Sequence, residues 1–201
     1  MNDVITAIND ALKTTGAVVR AIPAGRWHRP TPCHDWDVHL VTNHLVGGIR
    51  IFAAELTGIP EIADHDSDWL GFDPVAAYAD AALADCGAWP RADALRGTIT
   101  IGLGTMPAPL AALIHLTEIL VHGVDIAVAI DRADLVDQHQ CADLFTAMQR
   151  MGGVDPYRVP GVFGPQVPTA VGDLPHRRLL GYLGRELPLG TPARSVPARA
   201  S

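Results

Sequence analysis

Lysine is nearly missing from this 201-residue chain, because Lys13 is the only lysine among fifteen basic side chains. Charged residues make up only 18% of the sequence and aromatic residues only 5%, whereas hydrophobic residues make up 48%. This balance excludes a disordered chain and favours a compact helical protein. The net charge of −7 argues against a nucleic acid as partner, because a phosphate backbone attracts basic surfaces.

Long apolar runs are also missing. No stretch approaches the roughly eighteen consecutive apolar residues that a membrane span needs, so no membrane partner is expected. The N-terminus lacks the basic start and apolar stretch of a signal peptide. The three cysteines are an odd number without metal-type spacing, which favours reduced thiols and a cytoplasmic location. They are Cys33, Cys86 and Cys141.

The chain shows no internal repeats, low-complexity tracts or linkers between domains. We therefore predict one helical domain over residues 1–187, followed by a mobile C-terminal tail over 188–201. Apolar periodicity and capping residues predict an all-α fold, an up-down four-helix bundle with additional C-terminal helices. The predicted helices span residues 3–22, 37–57, 73–88, 107–130, 134–151 and 175–184, with a short extended segment near 97–102.

Glu118 and His122 are the most informative pair, because residues four apart on a helix lie on one face. Their neighbours are strongly apolar, so both side chains should be buried and need a polar partner. His44 lies on the apolar stripe of another predicted helix, with glycines close to it. Facing helices of a bundle commonly build a metal site from such residues, so we predict His44, Glu118 and His122 as metal ligands.

Other interpretations of these residues stay open. A lone core histidine is usually hydrogen-bonded rather than metal-bound, and Glu118 with His122 can form a simple pair within the helix. His115 can replace Glu118 or add a fourth ligand, whereas Asp125 can orient His122 through a hydrogen bond. The remaining histidines lie in predicted loops or on polar faces and should be solvated; they are His28, His34, His39, His65, His139 and His176.

Three ligands leave one position of a metal ion open for water or substrate, as in reactive rather than structural zinc sites. A thiol in that position loses its proton to the metal and becomes a nucleophile.

Five motifs, in order, resemble the mycothiol-dependent maleylpyruvate isomerase group of DinB-like metal-binding four-helix bundles. They are TPCHDWDV at 31–38, NHLVGG at 43–48, EILVHGVDIA at 118–127, GVFGPQVP at 161–168 and RLLGYLGR at 178–185. The resemblance covers nearly the whole chain, and its ending is similar to a short actinobacterial subfamily of metal-binding proteins.

The resemblance implies a divalent metal, usually zinc, held by His44, Glu118 and His122, with mycothiol as cosubstrate. In the isomerase, the thiol is thought to add to an activated double bond, which rotates before elimination. The isomerase has a fuller C-terminal region with basic residues for a dicarboxylate. Here that region is short, and its clustered arginines are Arg177, Arg178 and Arg185.

Four residues are candidates for a substrate or thiol pocket: Cys33, Trp36, Arg177 and Arg178. For Cys33 a small packed thiol is the favoured alternative, and for Trp36 packing at the start of the helix. Solvated helix charges are the favoured alternative for the arginines.

These observations favour a metal-dependent mycothiol S-transferase or isomerase-like enzyme that acts on a small electrophile. A non-catalytic metal-binding module for stress response or metal handling is the alternative, and a bundle without metal is the third interpretation. Exposed apolar helix faces can also support a homodimer.

Overall fold

The computed structural model describes residues 3–59, 64–89, 95–101, 104–159 and 161–187. Within these ranges the chain forms six α-helices and one two-stranded antiparallel sheet, so the all-α prediction is confirmed. The helices are α1 (Val4–Arg20), α2 (Val38–Thr57), α3 (Pro74–Ala88), α4 (Ala108–Ala129), α5 (Gln138–Arg150) and α6 (Pro175–Tyr182). The strands are β1 (Thr98–Ile101) and β2 (Gly104–Pro107), paired from Thr98 with Pro107 to Ile101 with Gly104.

The first four helices form a bundle around one apolar core. Helix α1 packs on α4 and α3, and α2 packs on α3 and α4. Both α2 and α4 therefore present a face to the same space, which is what a site built from facing helices requires. Helices α5 and α6 pack mainly on each other, and α5 also touches α4.

The ends of α2 follow from its capping residues. The Asp37 side chain accepts a hydrogen bond from the Leu40 N–H at 2.8 Å, which satisfies one of the free donors of the first turn. Gly58 ends the helix with a φ of 68°, a left-handed conformation that glycine adopts without strain. These boundaries are those that the sequence predicts, and they fix where His44 lies on the helix.

Helix α5 begins later than the sequence predicts. It was expected from about Asp134, but Ala133–Leu135 form a separate 3-10 turn and the helix begins at Gln138. The reason is the cap: the Asp137 side chain accepts hydrogen bonds from the His139 and Gln140 N–H groups. Asp137 therefore stands outside the helix as its N-cap.

Helix α4 is the central helix of the fold. By length and composition it could cross a membrane, but 83% of its most apolar window is buried inside the structure. That burial is typical of the core helix of a soluble protein. It approaches α1 so closely that a Cβ at Gly123 would overlap the Thr15 side chain, so only glycine fits without a shift.

The chain after α5 forms a 3-10 turn at Asp155–Tyr157 and returns to α6. Arg158 holds this return, because its guanidinium donates to the carbonyl oxygens of Gly164 at 2.6 Å and Tyr182 at 2.9 Å. The predicted tail, residues 188–201, lies outside the described residues, so the division into one domain and a tail stays a prediction.

Candidate metal centre

A cavity of about 1070 Å³ lies between α2, α4, the loop before α2 and the segments 158–159, 161–165 and 183–185. Four polar residues recur at helical spacing on one face of the otherwise apolar α4, and the first three of them line the cavity. They are His115, Glu118, His122 and Asp125. Glu118 has 43% of its side chain exposed at the cavity, whereas His122 has only 7% exposed.

Three donor atoms from α2 and α4 converge in this cavity. Oε2 of Glu118 lies 3.2 Å from Nε2 of His44 and 3.2 Å from Nε2 of His122. All three donor atoms lie within 4.8 Å of one another. The structure thus brings together the residues that the sequence predicts as ligands: His44 comes from α2, and Glu118 and His122 come from successive turns of α4.

The donor set fits a zinc ion. Two ligands at roughly 2.0–2.1 Å from a tetrahedral zinc lie about 3.3 Å apart, close to the distances found here. Imidazole nitrogen and carboxylate oxygen are both common zinc ligands. Three such ligands would leave one position of a four-coordinate ion for water or a thiol.

Asp125 fixes the orientation of the His122 ring. Its Oδ2 lies 3.3 Å from Nδ1 of His122, and the carboxylate is completely buried. Nδ1–H therefore donates to Asp125, and the lone pair of Nε2 is the one aimed at the donor cluster. Arg185 approaches the same oxygen at 3.5 Å and balances the buried charge.

The charges of the cluster shift two pKa values in opposite directions. Burial lowers the pKa of His122, but hydrogen bonds and charge from Asp125 and Glu118 outweigh burial and raise it to about 9. Burial raises the pKa of Glu118, but the hydrogen bonds and charges of His122 and His44 hold it well below its usual range. Without metal, a proton on Nε2 of His122 therefore occupies the place of a cation.

The loop before α2 carries Cys33 and Trp36 to the cavity. Thr31 holds it, because its hydroxyl accepts from the Cys33 N–H and donates to the Trp36 carbonyl oxygen. The Trp36 ring then contacts both imidazoles, with centroids 4.7 Å from His44 and 5.9 Å from His122. Trp36 is therefore a wall of the donor cluster and does more than pack at the start of α2.

Cys33 lies close to the other side of His122. Its sulfur belongs to a second group of potential donors, with His122 and Asp125, all within 4.8 Å. Burial, with the charges of Asp125 and Glu118, raises the pKa of this thiol to about 11 although Arg185 lowers it. Cys33 is therefore a neutral thiol at pH 7 and a poor nucleophile.

His115 lines the cavity but is not part of either donor group. Its Nε2 lies 2.9 Å from Oδ1 of the buried Asp85 on α3, so this nitrogen is already engaged. The structure thus gives His115 a partner of its own and does not place it among the candidate metal ligands.

The predicted arginines lie elsewhere. Arg177 pairs with Asp173 at 3.6 Å, and Arg178 lies over the Phe145 ring at 5.5 Å. Neither lines the cavity, because α6 directs them along the surface towards α5 and the preceding loop. Arg185 does line it and is buried, with Nε unpartnered among the described residues.

His176 differs from the expectation that it is solvated, whereas His65 is solvated as expected but contributes to the cavity. His176 is buried and its Nδ1 lies 3.0 Å from Oε1 of Gln138.

His65 is exposed but lines the cavity, with its ring stacked 4.7 Å from that of His44. The loop that carries His65 is held by Asn43, whose side chain bonds the backbone of Ser67 and Trp69. Because His65 lies in a loop, the helical periodicity of the sequence does not identify it as a residue of the cavity.

One family model and two relatives match this chain. The family model described as "Mycothiol maleylpyruvate isomerase N-terminal domain" matches residues 8–127, a range that contains His44, Glu118, His122 and Asp125. The uncharacterized proteins MT0763 and Rv0738 of Mycobacterium tuberculosis are each 25% identical over 187 residues, which cover 91% of this chain and 98% of theirs. No solved structure matches the chain.

Proposed function

The chain belongs to the mycothiol maleylpyruvate isomerase N-terminal domain family, and on that premise we propose that it is a zinc-dependent enzyme that uses mycothiol. The proposed reaction is thiol transfer to a small electrophile, or its thiol-assisted isomerisation. The observation that carries the proposal is the convergence of His44, Glu118 and His122 at a cavity large enough for a thiol and a second molecule.

His44, Glu118 and His122 would hold the ion, and Asp125 would keep the His122 ring in the ligating tautomer. A bound divalent ion supplies an open position at which a thiol loses its proton at neutral pH. Trp36 lies against both imidazoles and would limit the approach of water to the ion that they hold.

Arg185 is the cationic group best placed to orient a ligand. It is buried, lines the cavity and keeps Nε–H free of a partner among the described residues. A buried N–H donor without a partner is costly, so an oxygen of a ligand would satisfy it. Arg158 also lines the cavity, but its three nitrogens bond Asp155, Gly164 and Tyr182. We therefore assign Arg158 to holding the chain and Arg185 to the ligand.

The remaining wall favours a partly apolar substrate. Ile49 and Phe52 of α2, Ile101 of β1 and Val162 and Phe163 of the returning chain line the cavity. Such walls exclude water, which strengthens the charged interactions inside. A small electrophile with one polar end towards Arg185 fits this surface.

The test is thiol consumption by zinc-loaded protein. Mycothiol is incubated with the protein and with electrophiles that carry an activated double bond, maleylpyruvate first, and free thiol and product are measured. We expect turnover that disappears in the His44→Ala/His122→Ala variant and persists in Cys33→Ser. Stoichiometric zinc without thiol binding would contradict the enzyme and leave a metal-binding module.

A further inference from the structure

A second polar pair lies in the cavity wall, apart from the metal ligands. His115 on α4 has 2% of its side chain exposed and Asp85 on α3 has none. Nε2 of His115 lies 2.9 Å from Oδ1 of Asp85, and Oδ2 of Asp85 accepts from the indole N–H of Trp89 at 3.0 Å. The His115 ring is stacked 4.0 Å from that of Phe52, which fixes its plane.

The partners of Asp85 decide which nitrogen of His115 carries the proton. The indole of Trp89 can only donate, and an ionised carboxylate can only accept. Nε2–H of His115 therefore donates to Asp85, and the neutral ring has its lone pair on Nδ1. Among the described residues, no hydrogen bond to Nδ1 is found. A proton that arrives on Nδ1 gives an imidazolium whose charge Asp85 stabilises.

The position of the pair connects it with the candidate metal centre. His115 lies three residues before Glu118 on the same face of α4, about 5–6 Å away between Cβ atoms. Both residues line the cavity. The other elements around this point add no competing partner: Phe52 of α2 is uncharged, and Glu55 of α2 accepts a hydrogen bond from the backbone of β1.

We propose that His115 is the proton-transfer residue of the cavity and that Asp85 is its positioning residue. The proposal rests on the proposed function, because its proton comes from the thiol that binds beside Glu118. The S–H bond breaks, its electron pair stays on sulfur, and the proton forms an N–H bond at Nδ1 of His115, directly or through one water. In isomerisation the proton returns to the released thiol; in net addition it passes to the carbon that receives the electron pair of the double bond.

The test counts protons and does not depend on turnover. Mycothiol is titrated into zinc-loaded protein at the same pH for the wild type and both variants. Calorimetry in two buffers of different ionisation enthalpy gives the protons released per thiol bound. We expect fewer protons released per thiol from the wild type than from His115→Gln and from Asp85→Asn, because only the wild type offers the Asp85-paired imidazole as acceptor of the thiol proton.

Asp85→Asn is the sharper variant, because it keeps the volume of the side chain. Its oxygen must accept from Trp89, so its N–H turns to Nε2 of His115 and moves the imidazole proton to Nδ1. The lone pair in the cavity is then lost, which nitrogen NMR of the His115 ring detects. Equal proton release from all three proteins, with thiol bound, would overturn the role of His115 alone. An absence of thiol binding to zinc-loaded protein would instead overturn the proposed function and this role with it.

Discussion

Nδ1 of His122 lies 3.3 Å from Oδ2 of Asp125, on the side of the ring opposite to the donor cluster. The same imidazole therefore touches two carboxylates, one fully buried and one exposed at the cavity. A ring held in this way has Nε2 oriented towards the proposed ion in advance, which would lower the cost of metal binding.

Replacement of Asp125 should weaken metal binding without removing a ligand. We expect Asp125→Asn to lower zinc affinity about 10–100-fold, because the amide no longer favours the tautomer with the proton on Nδ1. Competition with a chromogenic chelator measures the affinity. Asp85→Asn is the matched control, since it also changes a buried aspartate beside a histidine, and it should leave zinc affinity unchanged. Equal losses in the two variants would mean that Asp125 acts only through folding.

The raised pKa of His122 predicts a pH-dependent stability of the metal-free protein. Its usual pKa of 6.5 rises to about 9, so the stabilising contribution is complete below pH 6.5 and is lost as the pH rises through 9. The stability difference between wild type and His122→Gln should therefore shrink over this interval. Urea unfolding in the presence of a chelator measures it, with the exposed His139→Gln as control. A difference that grows with pH would contradict the assignment.

Cys33 should neither bind the metal nor act as a nucleophile. Because burial and nearby carboxylates raise its pKa to about 11, alkylation by iodoacetamide at pH 7 should be slower than that of a free model thiol. Cys33→Ser should retain stoichiometric zinc. Mass mapping of the alkylated peptide gives the rate. Fast modification of Cys33, or loss of zinc in Cys33→Ser, would make this residue a ligand or nucleophile instead.

The close approach of α1 and α4 predicts that an alanine at Gly123 destabilises the protein, and Gly87 in α3 offers a control without such a contact. Gly123→Ala should cost about 1–3 kcal/mol, because its Cβ would overlap Thr15 at the helix contact. Gly87→Ala in α3 meets nothing within 4 Å and should stabilise by about 0.5–1 kcal/mol. Urea unfolding compares them. A similar gain in both would mean that the helices can separate at Gly123 without cost.

The sequence predicts those parts of the fold that local chemistry decides. Asp37, Gly58 and the Asp73–Pro74 step mark helix ends by their capping chemistry, and the structure places the ends there. The sequence predicts too early a start for α5, because Asp134 and Asp137 are both good N-cap residues and only the packed chain selects between them. Local signals are therefore ambiguous where two caps lie close together.

Some residues of the candidate site can likewise be predicted from local sequence, whereas others depend on how distant parts of the chain pack. Glu118 and His122 share a helix face by their spacing alone, whereas the contribution of His65 depends on how a loop packs on α2. The sequence does not identify Asp85 as a buried residue, because α3 is rich in alanine and its two faces differ little in hydrophobicity. Arg185 and the pair Arg177 and Arg178 look alike in sequence, and only the path of the chain after α6 buries the first of them.

Elemental analysis of the purified protein, without added metal, tests the central claim most directly. The wild type should carry near-stoichiometric zinc or another divalent ion, and His115→Ala should retain it, since His115 bonds Asp85. The His44→Ala/His122→Ala variant should carry none while its helical circular dichroism is unchanged. Absence of metal from the wild type, even after incubation with zinc, would contradict the metal centre and leave a hydrogen-bonded cluster in a structural bundle.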